Sequence, residues 1–170
     1  MRKLNADRPT EIFLVGNKVT LAPFAHVRFC ARNPEDCAMA THVAASGGNV
    51  EHNIASLSRI NMRVNNQMIA RNDDAASGDV WDVDVASGDC EDFALTKRRA
   101  LIKAGWPPAS LRIAIALTSA GEGHAVLVAT TTTGDVVLDN RTNQIKPWKK
   151  SGLRFTKIQS TVNPKAWLSL

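Results

Sequence analysis

Cys90 stands in Gly88-Asp89-Cys90-Glu91-Asp92-Phe93-Ala94, His124 in Gly123-His124-Ala125-Val126-Leu127, and Asp139 in Leu138-Asp139-Asn140. A thiol, an imidazole and a carboxylate in that order are the parts of a nucleophilic centre. The thiolate attacks a carbonyl, the imidazole takes and returns a proton, and the carboxylate fixes the imidazole's tautomer. Only the ionised thiol attacks, so its surroundings decide the chemistry. Three cues put Cys90 in the first turn of a helix. Gly88 precedes it, Ser87 or Asp89 serves as N-cap, and Phe93-Ala94, Lys97, Leu101 and Ala104 follow on one side. The unpaired N–H groups of a helix start favour a thiolate and hold a developing oxyanion.

Each of these residues alone more often has a structural role. A cysteine at a helix start is small and buried, a histidine beside an apolar run is a core histidine, and Asp-Asn is turn chemistry. Their shared order and context turn the reading towards catalysis. Two features oppose it. A hairpin centred on Thr133-Gly134 sets Asp139 opposite Val128, four residues from His124. The two then share a face but lie roughly 13 Å apart on a flat strand, so twist or a bulge has to close the gap. The carboxylates of Asp89, Glu91 and Asp92 also crowd the sulfur and disfavour its ionisation. Either they cap the helix or a cation neutralises some of them, and hard oxygen ligands suit calcium.

The elements that must position these groups follow along the chain. Residues 9–50 read as loop-rich, with a small hairpin of Ile12–Val15 and Lys18–Leu21 about Gly16-Asn17. Asn33-Pro34-Glu35-Asp36 reads as a turn or a short helix start. Ile54, Leu57, Ile60, Val64 and Met68 mark one face of a helix over 50–72. Asn61 and Asn65 share a face of it, either solvated or buried to hold another segment. Residues 73–88 form a polar loop in which Trp81 packs on the body, and a second helix covers 90–104. Strands follow at 111–117, 125–129, 136–139 and 155–158, with a short extended piece at 143–148. Helices first and then an antiparallel sheet is α+β.

The whole chain sets bounds. Its 170 residues suit one domain, 1–170, and 44% apolar with 22% charged residues is ordinary globular composition. Tyrosine is absent, so aliphatics carry the core, with Trp81, Phe93, Trp106 and Trp148 as anchors. The formal charge is +5, with clusters at Lys97-Arg98-Arg99 and Lys146–Lys150 that read as solvated faces. No nucleic-acid signature accompanies them. No apolar run approaches the roughly 20 residues of a membrane span. The start, Met1–Asp7, has basic residues but no apolar stretch behind them and is not a signal peptide. The protein is then cytoplasmic, or the chain begins after a removed signal. Cys30 and Cys37, seven apart, fit a local disulfide with Cys90 left free, or else two reduced buried cysteines. A disulfide favours an oxidising compartment such as the periplasm. A metal at Cys30 and Cys37 is disfavoured, since His42 fits no known spacing.

The three motifs together resemble the bacterial transglutaminase-like cysteine proteinases, to which the LapG-type periplasmic proteases belong. Ile60-Asn61, Val64-Asn65, Asp79-Val80-Trp81 and the Cys30–Cys37 stretch share the likeness, which covers roughly 23–148. The resemblance implies a papain-like, transglutaminase-type α+β core with N-terminal helices packed on an antiparallel sheet. It implies Cys90 as nucleophile, His124 as base and Asp139 as orienter. It also implies a periplasmic or secreted thiol peptidase acting on a protein or peptide through an acyl-enzyme. The chemistry itself needs no cofactor, but carboxylates flanking the nucleophile support calcium dependence in the LapG branch. Here those are Asp89 and Glu91. A transglutaminase or amidase uses the same triad, and a binding module that has lost turnover is the non-enzymatic alternative. The sequence sets no oligomeric state.

Overall fold

The computed structural model describes residues 12–39, 54–74, 76 and 78–170. The basic start, His42 and Gly47-Gly48 lie outside them. Helices α1 (Phe24–Arg32), α2 (Ile54–Gln67) and α3 (Cys90–Lys103) precede most of the sheet. The strands are β1 (Lys18–Thr20), β2 (Ile69–Ala70), β3 (Ser87–Gly88), β4 (Leu111–Leu117), β5 (Gly123–Thr131), β6 (Gly134–Leu138), β7 (Lys146–Pro147), β8 (Arg154–Gln159) and β9 (Trp167–Ser169). Seven of them form one antiparallel sheet in the order β1-β9-β8-β4-β5-β6-β7, and β2 pairs with β3 in parallel.

The sheet is buried on both sides because β4, β5 and β6 are apolar at successive positions. Leu111, Ile113, Leu127, Ala129, Val136 and Leu138 pack with Leu57, Val64, Phe93 and Leu101 of the helices. Ala114, Val126, Val128, Val137 and Ile158 form the core of the other face, under Trp148, Phe155 and Leu168. The architecture is the α+β arrangement with helices on an antiparallel sheet that the sequence predicts.

Four expectations change. First, residues 12–15 do not fold back on 18–21. Asp135 is buried and ion-paired to Arg112 at 2.7 Å, and its carboxylate also accepts the Leu14 N–H at 2.7 Å. Arg112 donates to the Leu14 carbonyl, and the Asp135 N–H donates to the Ile12 carbonyl. The segment is thus held along β6, while β1 pairs with the C-terminal β9. Second, α1 occupies part of the expected loop, burying Ala25, His26, Phe29 and Cys30. A histidine in its apolar stripe hides the helical period. Third, Lys97 and Arg98 are buried, not solvated, because they lie on the faces α3 turns inward. Fourth, Trp167 is fully buried whereas Trp148 is only half-buried, so the C-terminal tryptophan is the anchor.

Candidate active site

Helix α3 begins at Cys90 for a local reason. Asp89 is its N-cap, and Asp92, three residues on, accepts the Asp89 N–H at 3.3 Å. Gly88 is glycine because a Cβ there would sit 2.1 Å from the Asp92 carboxylate. The approach to the helix is fixed from behind. β3 pairs with β2, and the Arg71 N–H donates to the Gly88 carbonyl at 2.8 Å. The polar loop between β2 and β3 is drawn onto the helix start, where Asp92 also accepts the Asp82 N–H at 2.7 Å.

The sulfur of Cys90 lies against β5. The N–H of Ala125, the residue after His124, points at Cys90 Sγ over 3.4 Å. Cys90 donates to Glu91 Oε2 at 3.0 Å. Burial pushes the Cys90 thiol well up, and the Glu91 carboxylate adds to it, while the Ala125 N–H works the other way. Without a counter-ion these surroundings favour the thiol over the thiolate.

His124 Nε2 lies 2.9 Å from Asp139 Oδ1, and both residues are buried. The expected gap between them does not arise. Thr131 pairs with Gly134 and Leu127 with Leu138, so the turn is Thr132-Thr133 and not Thr133-Gly134. Continuing that register one step sets Asp139 opposite Val126, only two residues from His124. The Thr131 hydroxyl holds this turn, which falls one residue earlier, donating to the Gly134 carbonyl at 2.7 Å. Gly134 itself has φ of 121°, and a Cβ there would meet the Ile12 carbonyl at 2.7 Å.

Asp139 is held from several sides. Arg141 donates to it from its backbone N–H at 3.0 Å and from its guanidinium at 2.7 to 3.1 Å. Burial alone would raise the Asp139 carboxyl, yet the bonds from His124 and Arg141 outweigh burial and carry it below the usual carboxylate range. From α2, Asn65 donates to the Asp139 carbonyl at 3.1 Å, and both Asn61 and Asn65 donate to the Thr142 carbonyl. The two amides therefore hold the turn that follows β6. Sequence reasoning weighed that role for them but missed Arg141, whose signal was only its position two residues after Asp139.

Negative charge accumulates at the start of α3. Carboxylate oxygens of Asp73, Asp79 and Asp89 lie within 4.8 Å of one another. Burial raises Asp79, and Asp89 and Asp73 add to it. Burial first, and then a hydrogen bond shared with Asp89, raise Glu91 to about 8. Burial raises Asp92 to about 7, against the pull of the Asp82 N–H. Crowded, partly desolvated carboxylates that resist ionisation fit a hard divalent cation with oxygen ligands. The motif around Cys90 points to Asp89 and Glu91 alone. The fold gathers Asp73 and Asp79 to Asp89 and turns Glu91 onto the sulfur as well. Cys30 and Cys37 form a disulfide across a Cα separation of 5.5 Å.

A half-buried thiol at a helix start, facing a strand that carries a histidine bonded to an aspartate, on an α+β frame, defines the class of transglutaminase-like cysteine hydrolases. The family model of the bacterial transglutaminase-like cysteine proteinases matches residues 16–170, and the chain belongs to that family. It is a cysteine peptidase with a transglutaminase-like fold. Calcium-bound LapG of Legionella pneumophila is 26% identical, with a TM-score of 0.59 over 70% of this chain and 71% of that one. EGTA-treated LapG of the same organism is 24% identical, with a TM-score of 0.58 over 86% of this chain and 78% of that one. A further Legionella pneumophila LapG structure is 24% identical, with a TM-score of 0.57 over 86% of this chain and 81% of that one. No curated protein sequence matches the chain.

Proposed function

We propose that Cys90, His124 and Asp139 are the catalytic triad of a thiol peptidase that cuts a protein partner through an acyl-enzyme, and that residues 1–170 form one such domain. The observation that carries this reading is the 2.9 Å bond from His124 to Asp139, on the strand whose next N–H touches Cys90 Sγ. His124 takes the Cys90 proton, and the thiolate adds to the scissile carbonyl. The Cys90 N–H and its neighbours in the first turn of α3 hold the oxyanion. His124 then protonates the leaving amine, and water attacks the thioester with the same imidazole as base. Asp139 keeps the imidazole oriented and steadies its charged form.

Asp73, Asp79 and Asp89 would hold a calcium ion, with Glu91 adjoining. Such an ion supplies positive charge beside the helix start and favours the thiolate electrostatically. The LapG comparison, calcium-bound in one structure, supports that choice of metal. The Cys30–Cys37 disulfide supports a periplasmic or secreted setting.

The test reads the thiol directly. Cys90 is the single free cysteine of the described residues. Iodoacetamide is expected to alkylate it at neutral pH, and His124→Ala to slow that reaction about 10-fold or more, as a general base is worth roughly 10²–10⁴. Equal labelling rates in the two proteins would remove the imidazole from the mechanism.

A further inference from the structure

Beside the triad lies a cavity of about 220 Å³ whose walls include Asp139, Arg141 and Lys146. It is smaller than the roughly 300–1,000 Å³ of a small-molecule pocket, so a single amino-acid side chain is the occupant of the right size. The register of the sheet brings these groups together. β7 pairs with β6 so that Lys146 lies opposite Val137, and directly opposed residues share a face. Asp139 follows Val137 by two residues and shares that face as well. Arg141 closes the cavity from the turn after β6, bonded to Asp139 at 2.7 Å. The turn itself is set from α2, where Asn61 and Asn65 both donate to the Thr142 carbonyl, at 3.0 and 3.1 Å.

The donors left over around this cavity are mostly cationic. Arg141 spends its Nε and Nη2 on Asp139, and its Nη1 has no partner among the described residues. Lys146, half-buried, has neither a hydrogen bond nor an ion pair among them. The Thr142 hydroxyl accepts the Gln144 N–H at 3.2 Å and keeps its own proton to donate. Asp139 is the one carboxylate in the wall, and His124 and Arg141 already satisfy it. Glu122 acts on Arg141 by charge alone, with no bond to it. Two cations against one satisfied carboxylate leave the cavity positive and supplied with unused N–H groups, and that combination selects an anion. In a polypeptide the anion is the carboxylate of an Asp or Glu side chain.

We propose that this cavity is a specificity subsite, in which Arg141 and Lys146 take the carboxylate of an Asp or Glu close to the bond that is cut. The proposal rests on the peptidase reading given above and adds the class of substrate, a protein segment with an acidic residue near its scissile bond. The subsite is next to the chemistry. Only the Asp139 carboxylate stands between Arg141 and the His124 imidazole, with bonds of 2.7 and 2.9 Å on its two sides. Arg141 keeps its hold on Asp139 through Nε and Nη2 while Nη1 meets the substrate. Lys146 touches none of the triad, so its charge sets preference and not the chemical step.

The experiment digests a library of random peptides in millimolar calcium and reads the cut sites by mass spectrometry. Three full-length proteins are compared: the unaltered chain, Lys146→Ala and Lys146→Glu. The unaltered chain is expected to enrich Asp and Glu about 5-fold or more at one fixed position relative to the cut, the effect of a charge-assisted hydrogen bond. Added salt is expected to weaken that enrichment, because the cations are partly exposed. Lys146→Ala is expected to lower it, and Lys146→Glu to reverse it in favour of Lys or Arg at the same position. Cuts with no acidic preference, or a preference that both Lys146 variants leave in place, overturn the subsite while the peptidase stands. If the folded, unaltered chain cuts no peptide although iodoacetamide still alkylates Cys90, the peptidase reading falls and the subsite falls with it.

Discussion

Asp139 carries more hydrogen bonds than an orienting carboxylate needs. His124 takes one oxygen and Arg141 reaches both. The two partners have different weights. His124 is buried with Asp139, whereas the Arg141 side chain is 45% exposed, so solvent screens its charge. Asp139→Asn is expected to lower peptidase activity by about 100-fold or more, because it breaks the tautomer control of the imidazole. Arg141→Ala is expected to lower activity only a few-fold, and both are read as kcat/KM on any cleaved protein. A larger loss from Arg141→Ala than from Asp139→Asn would mean that the arginine, not the carboxylate, orients the base. At this scale the sequence was legible where chemistry forces residue type. Cys90, His124 and Asp139 stand in motifs whose order is rare by chance. Arg141 and Lys97 were not legible, because an arginine in a turn and a lysine on a helix are ordinary until a fold decides what surrounds them. Helical spacing sets Lys97 on the side of Phe93 and Leu101 and its basic neighbours suggest a solvated face, and only the direction of α3 decides between the two.

At the scale of elements, the N-terminal part of the chain works as a strap across α3. The Cys30–Cys37 disulfide closes a short loop, which stabilises by about 2–3 kcal/mol through chain entropy. Asp36 inside that loop holds α3 through Arg98 and Arg99: its carbonyl accepts from Arg98 at 2.8 Å, and its carboxylate is bonded by Arg99. Arg32 reaches the Trp81 carbonyl at 2.8 Å and so ties the acidic loop to α1. On the same helix His26 is buried against Trp81 and Trp167, and Trp167 Nε1 donates to its Nδ1 at 3.2 Å. Burial first, and then the charge of Arg98, lower His26 to about 4. The folded value lies below the unfolded one of about 6.5, so the unfolded chain takes the proton first as pH falls. Stability from His26 is present above about 6.5 and is lost between about 6.5 and 4, by roughly 3 kcal/mol in all. Glu91 and Asp92, raised to about 8 and about 7, act with the opposite sign over an overlapping range. The clean reading is therefore a difference: the pH slope of urea unfolding from 7 to 4, chain against His26→Gln. The stability advantage of the chain over the variant is expected to shrink as pH falls from about 6.5 to 4, and an advantage that does not change with pH would assign the acid lability elsewhere. None of α1's role was legible beforehand, because the strap exists only through long-range bonds. By contrast α2, α3 and the central strands were legible from period alone, since their apolar positions face one core.

For the molecule as a whole, charge is distributed against its average. The chain is basic, at +5, yet the loop from β2 to β3 and the start of α3 gather Asp73 and Asp79 to Asp89, and set Glu91 against the Cys90 sulfur. In the absence of a counter-ion that arrangement works against the thiolate and against the fold, because Asp89 and Asp73 add to the raising of Asp79, and Glu91 and Asp89 to that of Cys90. A bound cation reverses both effects together. Anything that binds only the folded state stabilises it by mass action, by about 2.7 kcal/mol at one hundred times its dissociation constant. Millimolar calcium is therefore expected to raise Tm by several degrees over the EGTA-treated protein. It is also expected to speed iodoacetamide labelling of Cys90 at pH 7. Magnesium should do neither well, since it keeps its water shell and demands an octahedron. Asp73→Asn and Asp79→Asn, which lie outside the helix, should abolish the calcium increment while leaving the EGTA-treated Tm unchanged or higher, because they relieve repulsion in the empty site. If calcium moves neither Tm nor labelling, the acidic cluster is a capping and loop-closing device. The helix start must then make its thiolate with His124 alone.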